Sequence, residues 1–244
     1  MDDLLLLSGN DIPFIKAQIV IHQPTVKEIA FLGEETFFTG CELLNFSKNI
    51  LPEQDKMLLG DQTNFDILIA ILREQNAVMQ KNRNCVESLL ALLFPDYNIS
   101  FKKEYISLEK ENEDEHIINN DNFEDFKNIV NTMFSYKKNS SSDLNPSGDL
   151  AKRIAEKLKK RHQKLSEVKP QAETKIDIIS RYVSILAVGL QKNINDLLQY
   201  TIYQLFDEFK RFELKISYDI YFQAKMAGAK DLKEVEDWMK NIHS

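Results

Sequence analysis

Glycine and proline are scarce in this sequence, with seven and six copies among 244 residues. Both residues interrupt helices, and their scarcity beside abundant Leu, Ile, Lys and Glu favours helix over sheet. The glycines are scattered singly, so the chain has no Walker-type phosphate loop, no GxGxxG after a strand and no GxSxG turn. We predict a mainly α-helical fold, a helical bundle with a small β-hairpin or strand element in its N-terminal part.

Metal-binding and redox patterns are also missing. The two cysteines, Cys41 and Cys85, lie in apolar, helix-like surroundings, which predicts buried, reduced thiols in a cytosolic protein. The four histidines are far apart in the sequence, and no recognised metal-binding motif of His and Cys residues contains them. We therefore expect no metal site and no cofactor.

No apolar run approaches the length that a membrane-spanning helix needs. The first residues, MDDLLLLSGND, contain a short leucine run with acidic flanks, whereas a secretory signal has basic flanks and a longer apolar core. We interpret them as an N-terminal strand or a flexible arm. The protein is expected to stay in the cytoplasm where it is made, away from membranes.

The net charge of −7 argues against a general nucleic-acid binder. Two local runs differ from this average. Residues 109–115 are strongly acidic, and we interpret them as a solvated loop, with an acidic docking site as the alternative. Residues 149–169 are basic and helix-like but carry few apolar side chains, so we do not expect this helix to pack strongly alone.

The basic helix is the part of the sequence that fits a nucleic-acid site. Clustered cations bind phosphate in a salt-dependent way, although this helix has no interleaved aromatic residues for base stacking. The alternative function is a nucleic-acid-associated regulatory protein that uses the basic helix 152–164, and docking onto an acidic protein surface is an equal alternative. The expected polyanion-binding side chains are Lys152, Arg153, Lys157, Lys160, Arg161 and Lys164.

A polar stretch, KKNSSSDLNPSG, separates the two halves of the chain. It combines Ser, Asn, Pro and Gly with few apolar anchors, which is typical of a linker. We predict an α+β N-terminal domain over residues 1–137, a linker over 138–148, and a helical C-terminal domain over 149–244 that contains a long amphipathic helix.

Helix starts in the N-terminal domain are marked by capping boxes. Thr25 and Glu28 have the spacing at which each side chain can bond the other's backbone N–H, and Thr63 with Asp66 opens another helix. Strands are expected within Ile12–His22 and at residues 97–101 and 105–108, the last two as a hairpin or as additions to the first strand. Further helices are predicted over residues 34–46, 64–73, 86–94 and 121–134.

The longest amphipathic stretch is Asn193–Ala229, in which apolar residues recur every three or four positions. Asn193 can cap the first turn, and Gly228 lies where a helix end needs a residue that tolerates left-handed geometry. We predict one long helix. Its apolar stripe consists of Leu198, Ile202, Leu205, Phe209, Phe212, Ile216 and Ile220.

A helix this long, with this many aromatic residues, needs packing partners on more than one side. Some rings fill the core of the chain, and others are expected to contact another protein, because Tyr, Phe and Trp are common interface anchors. The sequence does not separate the two roles. The predicted partner-binding residues are Tyr203, Phe206, Tyr218, Tyr221, Phe222 and Trp238.

No arrangement of residues points to catalysis. Acidic pairs such as Asp207 and Glu208 are adjacent in sequence, and neighbours on a helix diverge by about 100°. Such pairs fit a solvated face better than a general acid–base pair. A nucleophile and base formed by Cys41 and His22 is a third alternative, although a buried thiol and a strand end explain them more simply. We predict that the protein is not an enzyme.

Two stretches resemble proteins of tailed bacteriophages. The C-terminal half, ISRYVSILAVGLQKNINDLLQYTIYQLFDEFKRFELKISYDIYFQAKMAGA followed by VEDWMKNIH, is similar to the C-terminal region of tail and baseplate morphogenesis proteins. The stretch IVIHQPTVKEIAFLGEE resembles the strand, turn and capped helix that open tail-assembly chaperones and T4-type baseplate assembly proteins. The resembling positions are Gln23, Pro24, Thr25, Glu28, Tyr203, Asp207, Phe209, Tyr218, Met226, Ala227, Gly228 and Trp238.

The resemblance implies a non-enzymatic protein made late in infection in the host cytoplasm. Such proteins bind other tail components, for example tape-measure, hub or baseplate proteins, and either guide their assembly as chaperones or stay in the virion as structural subunits. A homo-oligomer is a further expectation. The predicted function is therefore a phage tail or baseplate morphogenesis protein that acts by protein–protein contacts.

Overall fold

The computed structural model describes residues 2–50, 57, 59–74, 77–135, 178–229, 235 and 237–239. Within these residues the fold is mainly α-helical with two small antiparallel sheets, so the predicted fold class is confirmed. The predicted linker 138–148 and the basic residues from Lys152 to Lys164 lie outside the described residues. In chain order the elements are α1 (Asp3–Ser8), β1 (Ile12–Phe14), β2 (Ile19–Ile21), α2 (Val26–Leu32), α3 (Glu34–Leu44), α4 (Asn64–Arg73), α5 (Ala77–Leu93), β3 (Asn98–Phe101), β4 (Tyr105–Glu109), β5 (His116–Asn119), α6 (Phe123–Met133), α7 (Ile178–Leu190), α8 (Ile194–Leu198) and α9 (Ile202–Met226).

The N-terminus forms a helix, so its prediction as a strand or flexible arm is wrong. The Asp2 side chain accepts a hydrogen bond from the Leu4 backbone N–H and caps α1, and Gly9 ends the helix in the left-handed region at φ 71°. Leu6 is fully buried in the core. Caps at both ends and this burial stabilise a helix that is too short to form alone.

The strand predicted within Ile12–His22 is in fact two short strands. β1 and β2 pair antiparallel with Ile12 opposite Ile21, and a 3-10 turn at Ile15–Ala17 joins them. The turn ends at Gln18, whose φ of 55° reverses the chain. In both strands the outer residues are buried and the middle one is exposed, which explains the alternation in the sequence.

Two predicted capping boxes are confirmed. The Thr25 N–H donates to the Glu28 carboxylate at 2.7 Å, and the Glu28 N–H donates to the Thr25 hydroxyl at 3.2 Å. Thr63 and Asp66 make the same pair of bonds at the start of α4. Helix α4 has the predicted bounds, whereas α5 begins well before its predicted start.

The second sheet has three strands, one more than the sequence pattern predicted. β3 and β4 form the expected hairpin, with Ser100 opposite Ser107. β5 pairs with the free edge of β4 and was missed because only Ile118 is buried in it, which is too little for a visible alternation. Of the acidic run 109–115, Glu109 is the last residue of β4, and residues 111–115 lie exposed between β4 and β5, which agrees with a solvated loop for that part.

The prediction of one helix over Asn193–Ala229 is wrong in its first part. Asn193 caps α8 as predicted, but α8 ends at Leu198 and α9 begins after Thr201. Thr201 and Gln204 form a third capping box, in which the Thr201 N–H donates to the Gln204 side chain at 2.8 Å. Because this cap starts a new helix, the chain leaves the helical conformation between Leu198 and Ile202 although neither Pro nor Gly is present there.

The C-terminal end of α9 is as predicted. Gly228 adopts a φ of 85°. Its N–H donates to the Lys225 carbonyl at 3.1 Å, and the Ala229 N–H donates to the Ala224 carbonyl at 3.0 Å. The two bonds form a Schellman motif, which satisfies carbonyl groups in the last turn.

Elements from both predicted domains share one hydrophobic core. Thr25 and Thr201, the caps of α2 and α9, form an antiparallel bridge, and the Val26 N–H donates to the Tyr200 carbonyl at 2.8 Å. The Glu34 carboxylate accepts hydrogen bonds of 3.1 and 2.8 Å from two backbone N–H groups in the first turn of α7. The N-terminal elements and α7–α9 are therefore neighbours, while the predicted domain boundary stays a prediction.

Candidate protein-contact surface

The first half of α9 is packed against the rest of the chain. Leu205 is fully buried, and Phe209 stacks on Tyr182 of α7 with ring centroids 3.7 Å apart and planes inclined by 4°. Phe212 lies over Gly189, where a Cβ atom would be 2.1 Å from the tip of its ring. A glycine at this position lets the two helices approach closely.

Hydrogen bonds join α1 to the same half of α9. Gln204 Nε2 donates to the Leu7 carbonyl at 2.7 Å, and the Tyr203 hydroxyl donates to the Asp3 carboxylate at 3.4 Å. Burial, together with the negative charges of Asp3 and Asp207, raises the pKa of the Tyr203 hydroxyl. The hydroxyl therefore keeps the proton with which it holds α1.

Lys192 lies in the turn between α7 and α8 and connects this turn to α9. Its ammonium donates to the Tyr200 hydroxyl at 2.7 Å and to the Glu208 carboxylate at 3.0 Å. Burial alone would lower the pKa of Lys192, but the hydrogen bonds to Tyr200 and Glu208 outweigh it and raise the pKa. The first half of α9 is thus held by α1, by α7 and by this turn.

The second half of α9 is exposed. Beyond Leu214, which is 8% exposed, no residue through Met226 is buried, and all of these residues are described. Helix α7 has 13 residues and α9 has 25, so they span about 20 and 37 Å and α7 cannot cover α9 to its end. We call residues 215–226 the distal surface. Its exposed large apolar side chains are Ile216 (41%), Ile220 (62%), Phe222 (51%) and Met226 (78%).

Aromatic rings on the distal surface are ordered by neighbours on the same helix. Tyr218 and Phe222 are one turn apart and stack with ring centroids 6.2 Å apart and planes inclined by 17°. The Lys225 ammonium lies 5.8 Å from the centroid of the Tyr221 ring. Rings whose motion is already restricted lose less conformational entropy when a partner binds, which favours them as contact residues.

Charged residues are mixed with the apolar ones on the distal surface. Lys215, Asp219 and Lys225 lie exposed between the apolar side chains. A mixture of this kind is typical of protein interfaces, in which a polar rim surrounds apolar anchors. Within the described residues, no helix combines the length and apolar character that crossing a membrane requires.

Only some of the predicted partner-binding residues lie on the distal surface. Tyr203 is 2% exposed and lies in the core. Phe206 is half-buried and contacts the Tyr182 ring at a centroid distance of 5.5 Å. Trp238 is half-buried within the short described stretch 237–239. The residues that belong to the distal surface are Tyr218, Tyr221 and Phe222.

Sequence reasoning missed the exposure of Ile216, Ile220 and Met226. The two isoleucines continue the apolar stripe of the packed half, so periodicity alone assigns them to the same buried face. The signal that could have found them is length, because the helix before the turn at Gln191 is too short to cover a helix that ends near Gly228.

The surroundings of Cys41 and His22, the suggested nucleophile and base, are as follows. Cys41 is buried, and desolvation together with the negative charge of Glu42 raises the pKa of its thiol. The His22 ring nitrogens lie 2.9 Å from the Asp11 carboxylate and 3.4 Å from that of Glu28. Among the described residues, no group of three His, Cys, Asp or Glu side chains is arranged to hold a metal ion.

The distal surface lies in a segment that matches a family model. Residues 172–243 match the family model of the YomV second domain. This domain is phage-derived, which supports the expected relation of this segment to bacteriophage proteins. The match includes α7, α8 and α9, whereas the N-terminal helices and both sheets lie outside it. We found no match among curated proteins and none among solved structures.

Proposed function

We propose that this protein helps to assemble the tail or baseplate of a bacteriophage through protein–protein contacts, and that it has no catalytic role. The observation that supports this proposal is that two features occur in the same segment. The residues that match a phage-derived domain also carry the distal surface. Clustered large apolar side chains in solvent mark an interaction site more often than a chance feature of a surface.

The distal surface would supply the contact energy. Full burial of an exposed apolar side chain is worth about 1.5–3 kcal/mol. Ile216, Ile220, Phe222 and Met226 are only partly exposed, so covering them together can offset part of the roughly 4–15 kcal/mol that association costs. The rings of Tyr218 and Tyr221 border these side chains, as aromatic anchors do in many interfaces. The proposed partners are tape-measure, hub or baseplate proteins, met in the host cytoplasm during assembly.

Deletion of the gene in the phage that carries it tests the proposal. We expect particles without normal tails in electron micrographs. Phe222→Asp should reproduce much of this loss, whereas Phe31→Asp makes the same change on α2, outside the matched segment, at a side chain that is 84% exposed, and should leave the tails normal. Normal, infectious particles after deletion would contradict the proposal.

Mass spectrometry of purified particles then separates the two modes of action. A structural subunit stays in the virion in fixed copy number, whereas an assembly chaperone is present in the infected cell and absent from finished particles. Either result is compatible with a contact surface on α9, because the two modes differ only in whether the partner is released.

A further inference from the structure

We infer that the distal surface binds a second copy of this chain, with the two α9 helices antiparallel and the two-fold axis near Asp219. This inference rests on the proposed function in one respect, namely that the distal surface is a contact surface. It adds which molecule binds there. The spacing of the apolar side chains supports this occupant, and the placement of charge supports the antiparallel orientation.

The apolar side chains near the end of α9 are placed symmetrically about Asp219. Ile216 and Phe222 lie three residues to either side of it, and Phe212 and Met226 lie seven residues to either side. In an antiparallel pair of identical helices, a residue before the axis meets the residue equally far after the axis in the other copy. Ile216 therefore faces Phe222 of the second copy twice in each dimer. Met226 meets the part of the half-buried Phe212 that its packing on Gly189 leaves open.

The same residues share one side of the helix. Phe212, Asp219 and Met226 are seven residues apart, which places them along one line of an α-helix, as in the seam of a coiled coil. Ile216 follows Phe212 by four residues and Phe222 follows Asp219 by three, so they flank this line on opposite sides. Phe212 is half-buried and the other four are exposed, so most of this face is open to a partner.

Charge at this face favours the antiparallel orientation over the parallel one. The chain carries a net charge of −7, so two copies repel over much of their surface. The positive charge of Lys215 and the negative charge of Asp219 sum to zero at the centre of the face. Antiparallel pairing brings the two Asp219 carboxylates together, but it places one lysine on each side of them and separates the lysines by about 12 Å along the axis. Parallel pairing would set the two lysines directly against each other as well as the two aspartates.

Sedimentation equilibrium of the purified full chain tests the dimer in the absence of other phage proteins. We expect a monomer–dimer equilibrium in which Phe222→Asp raises the dissociation constant by about tenfold or more. Phe31→Asp at the 84% exposed site on α2 should leave it unchanged. Circular dichroism should show native helix content in both variants, since both side chains are exposed. A chain that stays monomeric, or a dimer that Phe222→Asp does not weaken, overturns the inference.

Cysteine cross-linking tests the orientation. Asp219→Cys places two thiols at the axis and should form an intermolecular disulfide on mild oxidation. Gln223→Cys places them about 12 Å apart along the axis, beyond the roughly 7 Å that a disulfide can bridge between Cα atoms. The native Cys41 and Cys85 are buried, so they should contribute little. Equal cross-linking through the two introduced positions would exclude the antiparallel pair.

The dimer and the tail function fail in different experiments. A monomeric chain that is still required for tails would remove the second copy as occupant and leave the proposed function in place. A dimer of a chain whose deletion leaves normal tails would support the pairing and remove the function.

Discussion

Hydrogen bonds from single side chains set the start of several helices in this protein. Thr25 with Glu28 and Thr201 with Gln204 make the same reciprocal bonds, yet one box carries a charge and the other is neutral. Burial raises the pKa of Glu28, but hydrogen bonds from Thr25 and the nearby His22 outweigh it, so the pKa lies below its ordinary value of 4.5. Of these two boxes, only the charged one responds to acid.

Glu28→Gln should therefore make the fold less sensitive to acid. A carboxyl whose pKa is lower in the folded chain stabilises the fold above its unfolded pKa, and this contribution is lost as the pH falls through the folded value. We expect the variant to lose about 0.5–1 kcal/mol at neutral pH, because Gln keeps part of the cap and the site is partly exposed. The loss should shrink as the pH falls below 4.5.

Urea unfolding at several pH values measures this difference. Glu111→Gln is the matched control, because Glu111 is exposed in the turn between β4 and β5, and it should change the free energy of unfolding little at any pH. A loss for Glu28→Gln that stays undiminished in acid would show that the carboxylate does not hold the cap.

Close approaches and helix lengths decide how the elements pack. Gly40 of α3 lies against α5, where a Cβ atom would be 2.9 Å from the Cys85 carbonyl oxygen and 3.0 Å from Leu89 Cβ. Gly189 of α7 lies against the tip of the Phe212 ring instead. The first glycine meets rigid backbone, and the second meets the end of a side chain that can rotate.

The two glycines should therefore respond differently to alanine. In an exposed helix interior, Gly→Ala stabilises by about 1 kcal/mol. We expect Gly40→Ala to destabilise the protein by about 1–3 kcal/mol, because the added methyl group overpacks a rigid contact. Gly189→Ala should cost less, since the Phe212 ring can move aside. Chemical denaturation of both variants measures the difference, and a more stable Gly40→Ala protein would contradict the close packing of α3 on α5.

At the scale of the whole molecule, the described residues of both halves of the chain contribute to one core. The bridge between Thr25 and Thr201 joins the starts of α2 and α9, and Leu186 of α7 is fully buried in the same cluster as residues of the N-terminal helices. Groups that share a core lose their packing together, so the described elements should unfold as one cooperative unit.

Leu186→Ala tests this cooperativity. The truncation should cost about 2–5 kcal/mol, and hydrogen exchange should show equal loss of protection in α4 and in the first half of α9, because a shared core lowers the stability of both. Val188→Ala, at a site on α7 that is 82% exposed, should leave exchange unchanged. Loss confined to α7–α9 would instead favour the two predicted domains as separate folding units.

The sequence by itself determined the features that depend on neighbours a few residues away. The boxes at Thr25 and Thr63, the bounds of α4 and the left-handed Gly228 all follow from local spacing and residue type, whereas the hairpin of β3 and β4 was one of two alternatives. Only the tertiary structure decided that Leu6 of α1 is buried, that the starts of α2 and α9 form a bridge, and that Ile216 and Ile220 are exposed. Periodicity records which side of a helix is apolar, but the length and position of its neighbours decide how far that side is covered.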